Sequence, residues 1–127
     1  MKAAIAGAVG VRTFEELRAW QLCAELRDGV LALCEHPSLG REFTFCDQLR
    51  ASSRSAPRLI AEGFGRYGHR EFRRYLSMAR AELLEVQNDL LELRTRPGNL
   101  RDEIERLRQL ADHAARVTAL LRSSISE

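Results

Sequence analysis

Lysine is nearly missing from this chain: all but one of its twenty basic residues are arginine. Cysteine is scarce too. Cys23, Cys34 and Cys46 are odd in number and widely spaced, which excludes a disulfide framework and a Cys-x-x-Cys metal knuckle, and fits a reducing cytoplasm. Aromatic residues are few and charged ones abundant, which disfavours a β-sandwich. No apolar run approaches the ~18 residues of a membrane-spanning helix. With 127 residues there is room for about one core and no separate cofactor domain.

What is present is charge, unevenly placed. Residues 1–40 sum to −1, 41–80 to +5 and 81–127 to −2. The positive middle is built from arginine, whose planar fork suits phosphate or carboxylate, although genome base composition alone also produces an arginine bias. The opening "MKAAIAGAVGV" has the lysine and small apolar residues of a signal peptide. It is too short and lacks Leu and Phe, so residues 1–12 read as a flexible extension ahead of one domain over 13–127.

Four stretches carry helical periodicity. Thr13 and Glu16 form a capping box, after which Phe14, Leu17, Trp20, Cys23, Leu26, Val30 and Leu33 recur at helical spacing and predict a helix over about 14–35. "HPSLG" ends it. A second helix over about 41–63 places Cys46, Leu49, Ser53, Ala56 and Ile60 on one face. Pro57 lies inside it, where its missing N–H and its ring act against the Ser53 carbonyl at a cost of ~3 kcal/mol, so a kink is expected there and not a break. Leu83, Val86, Leu90 and Leu93 continue a 4, 3, 4, 3 run from Phe72, and Ile104, Leu107, Ala111 and Ala114 carry a matching run in the last segment. "RTRPGN" reads as the turn between them. The pattern predicts an all-α, up-down-up-down antiparallel four-helix bundle. Tyr75, Leu84, Leu91, Leu110, Val117 and Leu120 widen the stripes, either as an ordinary broad face or as a contact between copies of the chain.

Gly63, Gly65 and Gly68 fall in the register G-x-G-x-x-G. A dinucleotide loop needs a strand before it, and this one follows a helix. The glycines therefore read as punctuation, with Gly63 or Gly65 as a left-handed helix cap and Gly68 as the reversal. No nucleotide, cofactor or metal is expected.

The candidate nucleic-acid-binding residues are Arg50, Arg54 and Arg58, spaced i, i+4, i+8, followed by Arg66, Arg70, Arg73 and Arg74 around the turn. Like charges at this spacing repel unless an anion or an acidic neighbour compensates, and Asp47 and Glu62 can each neutralise one. Tyr67 is a candidate for base stacking, whereas Phe64 reads as core. Glu82, Glu85, Asp89 and Glu92 form an acidic face, read as solvated or as a partner for arginines of another subunit. His36, His69 and His113 are isolated, and Cys34 near His36 lacks an orienting third group, so catalysis is not expected.

"FEELRAWQLCAEL", "QLRASSRSAPRLIAEGFGR" and "EFRRYLSMARAELLEVQNDL" together resemble the four-helix-bundle family of the 23S rRNA intervening-sequence proteins. Leu59 stands where that family usually has Asn, and Arg54 where an aliphatic residue is common. The resemblance implies a homopentameric ring, and kinship with accessory proteins of diversity-generating retroelements that bind nucleic acid and assist a reverse transcriptase. Two functions follow as expectations. One is a non-enzymatic, cytoplasmic, oligomeric binder of RNA or DNA backbone; the other is a module that docks a protein partner such as a reverse transcriptase.

Overall fold

The computed structural model describes residues 10–95 and 99–125, so most of the 1–12 extension and the Pro97-Gly98 turn lie outside the described residues. A 3-10 turn, Phe14–Glu16, leads to helix α1, Arg18–Cys34. A second 3-10 turn, Pro37–Leu39, leads to α2, Phe43–Gly65, and the chain continues through α3, His69–Leu93, and α4, Arg101–Ser124. There is no strand among the described residues. Helix α2 packs on α1 and α3, and α4 packs on α3 and α1, which closes a four-helix bundle. One core of buried residues draws on all four helices, from Leu22 and Leu26 through Leu49 and Ile60 to Leu76, Leu83 and Leu107.

The first helix begins later than its periodicity suggests. Leu17 is extended (φ −74°, ψ 126°) and interrupts the run, turning its own side chain into the core at 3% exposure. Phe14 then meets Trp20 edge to face, with ring centres 5.2 Å apart. The Glu16 carboxylate accepts from the Arg12 and Thr13 N–H groups at 3.0 and 2.9 Å and from the Thr13 hydroxyl at 3.2 Å. These bonds hold its pKa below the usual carboxylate value. A lowered folded pKa means that this anchoring is in place above about pH 4.5 and is lost as pH falls through the folded value. In an NMR titration the Thr13 amide proton should therefore move with a midpoint below 4.5, and Glu16→Gln should abolish the movement.

Helix α2 runs unbroken through Pro57. Ser53 is buried, and its hydroxyl donates to the Arg50 carbonyl at 2.9 Å. That hydroxyl is therefore committed one turn back and does not serve the backbone group that Pro57 leaves without a donor.

The glycines resolve differently from the punctuation reading. Neither Gly63 nor Gly65 has positive φ; both lie inside α2, and the residue after the helix is Arg66 in extended conformation. Gly63 is instead a point of close approach. A Cβ there would lie 2.5 Å from Tyr75 Cβ and 3.2 Å from Phe72 Cδ1 of α3. Gly68, at φ 92°, makes the reversal into α3.

Candidate nucleic-acid interface

The seven candidate arginines divide by their surroundings. On α2, Arg50 reaches back one turn to Asp47 at 2.7 Å. Arg54 and Arg58 follow at four-residue spacing, are exposed, and have no hydrogen bond or ion pair among the described residues. At the end of the helix Arg66 pairs with Glu62 at 3.0 Å. Arg70, in the first turn of α3, is exposed and unpaired like Arg54 and Arg58. Arg74 bonds Glu71 at 3.0 Å.

Tyr75 organises the corner where α2 turns into α3. Its ring is buried, and its hydroxyl donates to Glu62 at 3.1 Å. The guanidiniums of Arg66 and Arg74 each stand 5.1 Å from its ring centre. Two cations on one aromatic ring are oriented by it, so Arg66 and Arg74 are both held by packing as well as by their acids. Arg66, and then the Tyr75 hydroxyl, keep Glu62 below its ordinary pKa. Sequence alone marks Tyr75 only as a broadening of an apolar stripe.

Arg73 serves the fold. Its Nη1 donates to the carbonyls of Arg122 and Ile125, both at 2.8 Å, at the C-terminal end of α4. A cation belongs at that end of a helix, where carbonyls have no partner within the helix and the dipole is negative. No local signal marks this, because the partners are about fifty residues away. Arg73→Gln should lower stability by ~2 kcal/mol in urea denaturation, through the loss of two charge-assisted bonds, and leave nucleic-acid affinity of the folded protein unchanged.

Phe64 is core, as its sequence context suggests. It is buried against Phe72, with ring centres 5.9 Å apart, while Tyr67 is 79% exposed in the loop between α2 and α3. Gly68, just before α3, supplies no side-chain cap. The positive corner is thus Arg70 and Tyr67 beside the Arg66, Tyr75 and Arg74 stack, with Arg54 and Arg58 along α2.

Elsewhere the polar chemistry is quiet. Burial, reinforced by the neighbouring Cys46 thiol, pushes the Cys34 thiol up to about 12, which leaves it a neutral, poorly nucleophilic thiol. His36 accepts from the Ser38 N–H at 3.2 Å and caps the 3-10 turn. Among the described residues no group of three His, Cys, Asp or Glu could hold a metal ion. No helix among them is long and apolar enough to cross a membrane.

Fold and surface together define an all-α bundle protein whose charge is gathered as arginine on α2 and the start of α3. The family model for the 23S rRNA-intervening sequence protein matches residues 15–121, and the chain belongs to that family. No curated protein and no solved structure matches it.

Proposed function

We propose that this chain is a non-enzymatic, cytoplasmic, oligomeric accessory protein that binds the phosphate backbone of RNA or DNA. The observation that carries the reading is the trio Arg54, Arg58 and Arg70, exposed and without a hydrogen bond or ion pair among the described residues; Glu62 lies near enough to Arg58 to feel its charge, and its own bonds go to Arg66 and Tyr75. Arg54 and Arg58 repel each other across one helical turn, and an anion laid along α2 relieves that repulsion. Arg50, Arg66 and Arg74 are already neutralised within the chain and contribute to the general positive field more than to direct contact. Tyr67 offers a stacking surface for an unpaired base next to Arg70. The family's connection with an rRNA intervening sequence supports RNA as the first ligand to test.

In this reading the helices run up-down-up-down and antiparallel, in keeping with the three residues that link α2 to α3. Pro57 bends α2 without breaking it, and copies of the chain close into a homopentameric ring, as the family resemblance implies. Repetition of the trio around a ring multiplies its phosphate contacts. The second reading, a module that docks a protein such as a reverse transcriptase, is favoured by exposed apolar side chains, notably Phe43 at 74% and Leu120 at 70%.

Anisotropy of a labelled structured RNA with nucleic-acid-free protein separates the two. Backbone binding predicts tight association whose log affinity falls linearly with log salt, with a slope that counts the phosphates engaged. Absence of binding at low salt would overturn it in favour of the docking module.

A further inference from the structure

Helix α3 carries two unlike edges. One starts from Tyr75, which bonds Glu62 of α2, and continues at helical spacing through Met78, Glu82, Glu85 and Asp89. The other starts from Arg73, which bonds the end of α4, and continues through Ser77, Arg80, Leu84, Gln87 and Leu91. The edges therefore lie on opposite flanks of the helix, one toward α2 and one toward α4.

The α2-side edge is acidic, and no cation among the described residues neutralises it. Glu82, Glu85 and Asp89 have no ion pair there, and Glu82 and Glu85 stand close enough to interact with each other. Desolvation, and then Glu85, push Glu82 up to about 7, and desolvation also raises Asp89. Met78 lies on the same edge at 36% exposure.

The α4-side edge has the opposite character. Arg80 is exposed and has no hydrogen bond or ion pair among the described residues. Leu84 and Leu91 remain 42% and 40% exposed beside it. Two hollows of about 270 and 290 Å³ run along the seam, the first between Gln87 and Arg108 and the second between Arg80 and Arg122; the carboxylates in the first, Glu105 and Asp112, are already paired with Arg108 at 2.8 Å and Arg116 at 2.9 Å. Gln87 Nε2, Arg108 Nε and Arg122 Nε in these walls are buried donors without a hydrogen-bond partner among the described residues. Unsatisfied donors gathered on one seam are costly unless acceptors arrive from outside.

We infer that a second copy of this chain occupies the α3/α4 seam, laying its own Met78, Glu82, Glu85 and Asp89 edge against Arg80, Leu84, Gln87 and Leu91. The inference rests on the homo-oligomer reading above and names the surfaces that join its subunits. Carboxylates of the entering edge meet Arg80 and supply acceptors to the seam, and Met78 covers exposed leucine. Because the two surfaces differ and lie on opposite flanks of α3, the contact is head-to-tail: each subunit gives one edge and receives another, the arrangement that builds rings. Charge of opposite sign on the two surfaces fixes the direction and discourages like-on-like pairing.

Size-exclusion chromatography with multi-angle light scattering on nucleic-acid-free protein tests this with an edge variant, Glu82→Lys with Glu85→Lys, and a seam variant, Arg80→Glu with Leu84→Glu. Circular dichroism confirms that each stays helical, as expected where all four positions are at least partly exposed. The wild type is expected as a multi-subunit species and each variant alone as the 14.4 kDa monomer. An equal mixture should regain multi-subunit species that contain both, because each variant then finds a complementary surface on the other. Variants that keep the wild-type mass would overturn this contact and leave assembly itself standing. So would monomeric variants that fail to associate on mixing. A monomeric wild type would remove the oligomer reading, and this contact with it.

Discussion

Replacing Arg54, Arg58 and Arg70 together by Gln is expected to weaken binding of structured RNA roughly 100-fold at 0.1 M salt, and to reduce the salt slope by about three per engaged subunit. The expectation follows from the division of the arginines. These three are exposed and have no hydrogen bond or ion pair among the described residues, so their removal takes away phosphate contacts, and Glu62, which feels Arg58, keeps its bonds to Arg66 and Tyr75. Gln is shorter but stays polar and has a similar helix propensity, so the fold should be untouched. The comparison is Arg116→Gln on α4, whose guanidinium already bonds Asp112 at 2.9 Å; it should move affinity little. Anisotropy titrations at several salt concentrations read both quantities. Equal affinity for the triple variant and the wild type would exclude this surface from the contact.

Two alanine substitutions two residues apart should act in opposite directions. Gly63→Ala is expected to lower stability by ~1–3 kcal/mol, because the new Cβ meets Tyr75 Cβ, an atom fixed close to the α3 backbone. Tyr75 cannot swing aside, since its hydroxyl is bonded to Glu62 and its ring carries Arg66 and Arg74. The helices must separate instead, and the arginine corner is disturbed with them. Gly65→Ala is expected to raise stability by ~0.5–1 kcal/mol, because no atom lies within 4 Å of its Cβ, its φ is not positive, and alanine is the better helix former. Urea denaturation of the pair decides the matter. Destabilisation by both would restore the left-handed cap that the glycine spacing suggests, since a cap penalises Cβ through φ and not through a neighbour.

Helical periodicity made the four helices legible. Strict alternation of three and four steps leaves one apolar face per helix, and those faces are the core: Leu49, Ile60, Phe72, Leu83, Leu107 and Ala111 are fully buried as their spacing requires. Helix ends were less legible. The Thr13 and Glu16 signature correctly marks a beginning, but Leu17 gains more from reaching the core in an extended conformation than from continuing the turn. The arginines were visible as a charge pattern, while their roles were not. Asp47 and Glu62 showed that two arginines could be neutralised locally, while the choice of Arg66 over Arg58 as the partner of Glu62 came from the structure; nothing nearby foretold that Arg73 would hold the last carbonyls of α4.

By itself the sequence determined which faces are buried, that the chain is helical throughout its described core, and that positive charge gathers in its middle third as arginine. These are local properties, set by spacing along one helix. Only the tertiary structure decided which guanidiniums remain free for a ligand, that Gly63 is a contact and not a cap, and that the two flanks of α3 differ so sharply. Each of these depends on which helix lies alongside at a given level, and packing of distant segments sets that, not the order of neighbouring residues.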